Sequence, residues 1–458
     1  MQTLIGLALV GRASAQIGSW QTLAGYRSAS DVEQQARIDL DMEELEYKTG
    51  EHAYNANWIT EALFIYENGG NGLCVNANEN GIGCAVGGAK GNSLKATSIR
   101  TLKGFAIKDY ASETGDYAEQ LPPVYTAYWA ANGYSATEAA FWADTFITKD
   151  YSAISKDKGT AELIKKGANY QAVWMYVLHE FEDAVADCTK GDITANDDAV
   201  HAWDEGWAFY AGSLVAESLA DAASSSTASA EGTLLWELAE KRGGDFGTMH
   251  SSGPSNANVA AQAAAIAGRD ALQDATCTAG TTSLATLTKQ MTIPLIQGTI
   301  KYAWKADPAK SGSSCDATTA QTAGKTAMLA SDDCVKSWAE GWAFAAALLP
   351  QLHQCNADVA AVVRQNLDIA AAEPMSCGFD TVKTAIESCY TSMGVTCTDI
   401  GAFQSSTGVY AGADACTAIP ATPTAKLATC LPAASDDATA PALALGAAAA
   451  AAGAALLL

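Results

Sequence analysis

One heptapeptide occurs twice in this chain. Residues 203–209 read Trp-Asp-Glu-Gly-Trp-Ala-Phe and residues 338–344 read Trp-Ala-Glu-Gly-Trp-Ala-Phe, six of seven positions identical at an offset of 135. Two tryptophans four residues apart lie on one face of a helix, so each copy predicts a helix with an aromatic stripe. A pattern that recurs once at long range predicts two related units, roughly residues 30–220 and 230–352. A weaker echo joins the apolar stretch Ala62 to Gly70, ending Gly-Gly, with Leu234 to Gly244. Helical spacing recurs elsewhere. Tyr170, Trp174, Val177 and Phe181 share a face, and similar runs cover Asp41 to Tyr66, Pro123 to Ile147, Val200 to Leu219, Asn258 to Leu272, Leu284 to Trp304, Thr318 to Leu349 and Ala357 to Ala371. No succession of β-branched runs at strand spacing competes with them. The expected fold is all-α: two duplicated helical-bundle units (16–221 and 231–354, joined by the low-complexity linker 222–230) and a disulfide-rich C-terminal region, 355–434.

A chain of 458 residues is too long for one ordinary core, and 49% hydrophobic residues is ample for folding. Its 51 acidic against 27 basic residues give −24, which argues against a nucleic-acid partner and permits a cationic one. The twelve cysteines include no Cys-x-x-Cys pair, and nine of them fall between Cys277 and Cys430. That pattern predicts disulfides in an oxidising compartment rather than a thiolate metal module. Cys74 and Cys84 sit in a Gly/Asn-rich stretch, 68–92, expected to be a stapled loop. Residues 1–15 have the apolar core (Leu4 to Val10) and small-x-small site (Ala13 to Ala15) of an export signal. Residues 435–458 follow small residues with two aspartates and an uncharged tail, the order of a lipid-anchor signal. The two ends together predict export followed by lipid tethering to the outer leaflet at the cell surface.

On a helical projection of the first copy, Trp203, Trp207, Tyr210 and Leu214 form one stripe, and His201, Asp204, Glu205 and Ala208 the opposite one. His201 and Glu205 are four apart and reach one point. The second copy keeps Glu340 but has Lys336 and Ala339 where the first has His201 and Asp204. The tryptophans are expected in the core. Gly206 and Gly341 cost each helix ~1 kcal/mol against Ala, which predicts that a backbone or ligand approaches closely there. The glutamate face has two readings: a solvated or ion-paired face, or a site where Glu205 and Glu340 meet across the units and coordinate a metal, as inward carboxylates do in helix bundles. Carboxylate, phenolate and imidazole donors suit Fe(III), a hard ion.

The paired W-x-E-G-W-A-F segments, Ile65 to Gly70 (IYENGG), Leu238 to Thr248 (LAEKRGGDFGT) and the export signals resemble the algal low-iron-inducible periplasmic family, the iron-assimilation proteins or phytotransferrins, over roughly residues 30–350. The helix beginning His201-Ala202-Trp203-Asp204-Glu205 is also similar to imelysin-type bundles. The family resemblance implies surface iron uptake, ferric ion held with a carbonate anion, and an iron reductase or transporter downstream. Carried onto this chain, it makes Glu205 and Glu340 the first candidate ligands, His201 and Asp204 the next, and Tyr66 and Glu67 weaker ones, with Lys336 and Arg100 as anion anchors. His179 and Asp183, four apart, are expected as a solvated pair; His52, His250 and His353 have no supporting spacing. Enzyme signatures are missing: there is no G-x-S-x-G, no P-loop, and His179-Glu180 is not followed by the second histidine of H-E-x-x-H. No catalytic role is expected. Two rivals stand beside the iron reading: a cell-wall or polysaccharide-binding surface protein, and an extracellular hydrolase built on a carboxylate pair.

Overall fold

The computed structural model describes residues 22–50, 54–69, 100–110, 121–151, 154, 157–193, 198–216, 232–316 and 329–431. The expected export signal, the Cys74/Cys84 loop, the linker 222–230 and the C-terminal tail lie outside them.

The fold is all-α, with four two-residue strands and one isolated antiparallel bridge, Met249 with Ser255, as its β structure among the described residues. A hairpin, β1 (Thr22–Leu23) and β2 (Tyr26–Arg27), leads into α1 (Glu33–Ala36) and α2 (Ile38–Lys48). Then come α3 (Trp58–Asn68), α4 (Leu102–Ala106), α5 (Pro122–Ala131), α6 (Ala136–Ala140) and α7 (Trp142–Thr148). Helix α8 (Asp157–Gly167) passes through a π-helical stretch, Ala168–Val173, into α9 (Trp174–Lys190), and α10 (Ala199–Ala211) turns back along α9. The second half holds α11 (Leu235–Phe246), α12 (Asn256–Gln273), α13 (Cys277–Ala306), α14 (Asp332–Cys355) and α15 (Ala357–Leu367). It ends with α16 (Phe379–Ser388), α17 (Cys397–Ile400), the hairpin β3 (Gln404–Ser405) and β4 (Gly408–Val409), and α18 (Thr424–Cys430).

Several helices are shorter than their apolar pattern. The run from Val200 stops at Ala211 because Gly212 takes φ +82°, and a Cβ there would lie 2.5 Å from Asp39 Oδ2. Asp39 then catches the departing chain, accepting from Leu214 N (2.6 Å) and Ser213 Oγ (2.8 Å). The run from Pro123 is cut into α5, α6 and α7 by Gly133 at φ +99° and by a capping box in which Ser135 and Glu138 satisfy each other's backbone. The run from Asp41 to Tyr66 divides at Thr49, whose hydroxyl turns back to the Leu45 carbonyl (2.8 Å). Two helices carry an interior proline, Pro294 in α13 and Pro350 in α14, and neither can donate to the helical ladder. An aromatic donor reaches the carbonyl three residues before each: Trp174 Nε1 to Met291 O (3.1 Å) and Tyr125 Oη to Ala347 O (2.6 Å).

Helices α10 and α14 pack most extensively on α9 and α13 respectively. The end of α9 is joined to the start of α13 by Cys188–Cys277, and the approach to α14 is clamped by Cys315–Cys334. Cys355–Cys389, Cys377–Cys430 and Cys397–Cys416 hold the C-terminal region, so every described cysteine is paired. One apolar cluster runs from Leu23 to Leu427 and takes in both heptapeptides. In α10 every residue but His201 is buried, and α14 is buried from Ser337 through Leu352. Along these buried stretches little of either helix meets bulk water. Their charged groups must be answered by protein partners, and those partners define the candidate sites.

Candidate functional site

The tryptophans are core residues, as their spacing predicts. Trp203 Nε1 donates to Ala265 O (2.8 Å), Trp338 Nε1 to Leu367 O (2.9 Å) and Trp207 Nε1 to Leu23 O (3.0 Å). The conserved spacing of the two glycines has a side-chain cause rather than a ligand or backbone one. A Cβ on Gly206 would meet the Phe181 ring at 2.8 Å, and one on Gly341 would meet Leu367 Cδ2 at 2.9 Å and Tyr302 Cβ at 3.3 Å. Each glycine lets the neighbouring side chains lie flat against the helix.

Glu205 projects from α10 into a polar pocket of the core. Arg100 Nη2 donates to both of its oxygens, at 2.8 and 3.0 Å, His201 Nε2 lies 3.1 Å from Oε1, and the Gln35 amide donates to the same oxygen. Burial pushes the Glu205 carboxyl up, but His201, Arg100 and Gln35 together outweigh it and hold the group below the usual range. Beside it, on α9, lies a second buried carboxyl, Glu180. Burial, then the Glu205 charge, pushes Glu180 well above the ordinary carboxylate range, and Arg100 only partly offsets this. Tyr176, one turn earlier on α9, donates to Glu180 and accepts from Arg100. The first cluster is therefore one guanidinium, two carboxyls, a phenol and an imidazole.

Glu340 makes a matching arrangement on α14. Tyr302 Oη, from α13, donates to Glu340 Oε1 at 2.8 Å, and Lys166 Nζ from α8 lies 3.2 Å from the same oxygen. Arg242 of α11 donates to Tyr302. The rings repeat the pairing: Tyr176 packs edge-on to Phe209 at 5.4 Å, Tyr302 stacks on Phe344 at 5.6 Å, and Arg100 and Arg242 each lie 5.8 Å from the phenylalanine of their own heptapeptide. Further cations gather here. Glu162 is met by Lys165 (3.1 Å), Lys166 (3.3 Å) and Lys336 (3.6 Å), and these outweigh its burial and bring its carboxyl down to about 2.

Glu205 and Glu340 therefore do not share a site: Glu205 is met by Arg100, His201 and Gln35, Glu340 by Tyr302 and Lys166, and no hydrogen bond or ion pair joins them among the described residues. Asp204 points away from Glu205 into the N-terminal segment. Its Oδ1 accepts from Tyr26 Oη (2.5 Å), and its Oδ2 from Ala29 N (2.8 Å), Ser30 N (2.7 Å) and Ser30 Oγ (2.8 Å). Both oxygens are engaged, and the group anchors backbone. Tyr66 donates to Asp144 (2.8 Å) and Glu67 pairs with Lys103 (2.9 Å), away from either glutamate's partners. The anion that Arg100 holds is Glu205 itself. His179 is buried, not solvated, because it faces into the core; its ring packs on Tyr110 and Tyr176 at 5.5 Å. Sequence reasoning missed Tyr176, Glu180, Tyr302, Lys166 and Arg242. A signal was present: Gln171 and Tyr176 have the spacing of Gln297 and Tyr302 on the helix before each heptapeptide.

Among the described residues no group of three or more His, Cys, Asp or Glu side chains is gathered to hold a metal ion as it stands. No described helix is long and apolar enough to cross a membrane. A family model described as "low iron-inducible periplasmic protein" matches residues 3–422, nearly the whole chain. No curated protein and no solved structure gives a significant match.

Proposed function

The chain belongs to the low iron-inducible periplasmic protein family, which ties it to iron assimilation in the periplasmic compartment, and from that premise we propose that it captures ferric iron at the first heptapeptide. Glu205, Glu180, Tyr176 and His201 supply the hard oxygen and imidazole donors this ion prefers. The observation that carries the reading is the pair Glu180 and Glu205. Two buried carboxyls are set side by side with a single guanidinium between them, an arrangement short of positive charge. A trivalent cation would relieve that shortage. Arg100 would then be free to hold a carbonate that completes the coordination, in the anion-anchoring role the family resemblance implies. The iron would pass to a reductase or transporter at the membrane. A hydrolase or polysaccharide-binding role has no comparable support.

Elemental analysis of the purified secreted chain after exposure to mixed metals tests the proposal, with one iron per chain expected. Binding requires protons to leave Tyr176 and Glu180, both of which burial pushes upward. Affinity should therefore fall as pH drops from about 8 to 5, as for any site whose ligands must be deprotonated. A tryptophan-fluorescence titration reads this directly. An iron affinity flat across that range, or no iron retained at all, would sink the assignment.

A further inference from the structure

The second heptapeptide borders a cavity that the iron reading does not use. It has a volume of about 720 Å³, its floor is the Tyr302–Glu340 pair, and its walls carry Lys305, Lys336, Ser313, Ser314, Ser337 and Tyr410. We propose that this cavity binds a small organic polyanion, one bearing two or more carboxylate or phosphate groups. The proposal stands apart from the iron site and is tested without iron.

Charge is the first argument. The chain carries −24 overall, so a local excess of cations is against the trend. Glu162 and Glu340 are met by Lys165, Lys166 and Lys336, while Arg242 and Lys301 share one carboxylate, Asp245. With Lys305, which makes no ion pair among the described residues, and the Lys158–Asp333 pair, seven cations stand against four carboxylates around the cavity; of these, Lys305, Lys336, Glu340 and Asp333 line it. Counting outward to Glu46, Glu237 and Lys241 still leaves an excess of two. The positive field is felt locally: burial, then Arg242, brings the Lys301 ammonium down to about 8. Arg242, almost wholly buried behind Tyr302, also has a guanidinium Nε–H with no hydrogen-bond partner.

The cavity's own groups are the second argument. Of the two carboxylates on its wall, Glu340 is answered by Lys166 and Tyr302, while Asp333 is largely exposed and lies 3.8 Å from Lys158. Lys336, at 39%, is more exposed than Lys165, Lys166, Arg242 or Lys301 and stands where the first copy has His201. Ser337 donates to Ser314 at 2.8 Å, which leaves the Ser314 proton for a further acceptor. Ammonium and hydroxyl donors suit oxyanions. Size is the third argument. Small-molecule sites span about 300–1,000 Å³, so this volume fits an organic ligand and is far larger than a lone carbonate needs.

The test is calorimetric titration of the full-length protein, iron-free, near pH 7 and at low salt, with citrate, pyrophosphate, inorganic phosphate and glucose. Citrate or pyrophosphate should bind saturably, one per chain, and weaken as salt is raised to roughly 0.5 M. Whichever of the two binds more tightly assigns the carboxylate or the phosphate class. Lys336→Gln should weaken that binding by about tenfold or more, the worth of one charge-assisted contact, and Lys305→Gln/Lys336→Gln should abolish it. Lys103→Gln, which removes the same charge from a surface pair elsewhere, should change nothing, and circular dichroism of each variant confirms folding. Failure of both polyanions to saturate overturns the proposal. So does binding that survives Lys305→Gln/Lys336→Gln, and so does glucose binding as tightly as either polyanion.

Discussion

The two heptapeptide helices present the same scaffold with opposite charge. In both, a buried glutamate faces a tyrosine from the preceding long helix, an arginine donates to that tyrosine, and the heptapeptide's phenylalanine packs beneath. Around Glu205 a second carboxyl, Glu180, leaves the cluster short of positive charge. Around Glu340 the extra groups are lysines. The copies differ at two positions on the heptapeptide helix, His201 against Lys336 and Asp204 against Ala339, in the groups that neighbouring helices bring, Glu180 against Lys166, and in ring geometry, edge-on at Tyr176–Phe209 and stacked at Tyr302–Phe344. Packing tolerates little change in a core this close-filled, whereas a polar position needs only that its new partners be satisfied. The same frame can therefore be set to attract a cation at one end and an anion at the other.

The largest effect expected from that difference is on stability. Asp204 receives four donors from the N-terminal segment, and Asp204→Ala takes the acceptor from Tyr26 Oη and the Ala29 and Ser30 amides, while Ser30 Oγ keeps its contact with His201. The loss should be about 3–5 kcal/mol, the range for breaking a buried charged network. Ala339, its counterpart, is fully buried with no such donors, so Ala339→Asp should cost a comparable amount for the opposite reason, an added charge without partners. Urea unfolding of both variants checks this. A loss under about 1 kcal/mol for Asp204→Ala would mean the N-terminal segment contributes little to the fold.

Iron affinity should separate the clusters next. Glu205→Gln removes a first-cluster ligand and should weaken ferric binding by roughly a hundredfold, about 2.7 kcal/mol. Glu340→Gln, in the cation-rich cluster, should change it by less than about threefold. Equal losses from the two would return the site to one shared between the units, as the spacing of the heptapeptides first suggests.

A smaller effect lies in pH. Glu162 is depressed to about 2 by its three lysines, so its contribution is present above the ordinary carboxylate range and is lost as pH falls through about 2. For a side chain this buried the amount is on the order of 3 kcal/mol, and Glu162→Gln should flatten that acid limb of the stability curve. Glu180 has the opposite sign. Its carboxyl is raised, so its contribution is present below the ordinary range and lost as pH climbs through the folded value. Glu180→Gln should therefore stabilise the iron-free protein at pH 8 and not at pH 4. Thermal unfolding across pH 2 to 8 reads both variants at once, and like-signed responses would erase the distinction between the clusters.

The helices were legible in the sequence because apolar period survives any tertiary arrangement, and the Trp203/Trp207 stripe pointed straight into the core. Their ends were less so. Gly212 stops α10 only because Asp39, far away in sequence, waits beside it. The site was half legible. Glu205 and Arg100 were both candidates, but nothing in the spacing says that each satisfies the other. The pairing across the two units was misjudged because a projection shows which face a glutamate occupies and not which helix meets that face. His179 is a case of the same kind, since its side of α9 meets Tyr110 and is buried while Asp183, one turn on, is only half-buried. Tyr176 and Tyr302 lie on helical runs where spacing alone does not single them out; Tyr302 is buried and Tyr176 partly so.

The smallest expected effect tests the shared frame itself. Replacing either heptapeptide glycine by alanine gains ~1 kcal/mol of helix propensity. Against that stands overpacking, typically about 1–3 kcal/mol in a filled core. At Gly206 the obstacle is the face of the Phe181 ring at 2.8 Å, itself wedged against Trp203 at 4.7 Å, and neither aromatic has room to turn. At Gly341 the nearest atom is the end of the Leu367 side chain at 2.9 Å, which can rotate by a rotamer, with Tyr302 Cβ behind it at 3.3 Å. Gly206→Ala should therefore destabilise by about 1 kcal/mol net, while Gly341→Ala should be near neutral. The reverse order in urea midpoints would show that the two copies are not packed alike, and that the correspondence between Tyr176 and Tyr302 is one of residue type alone.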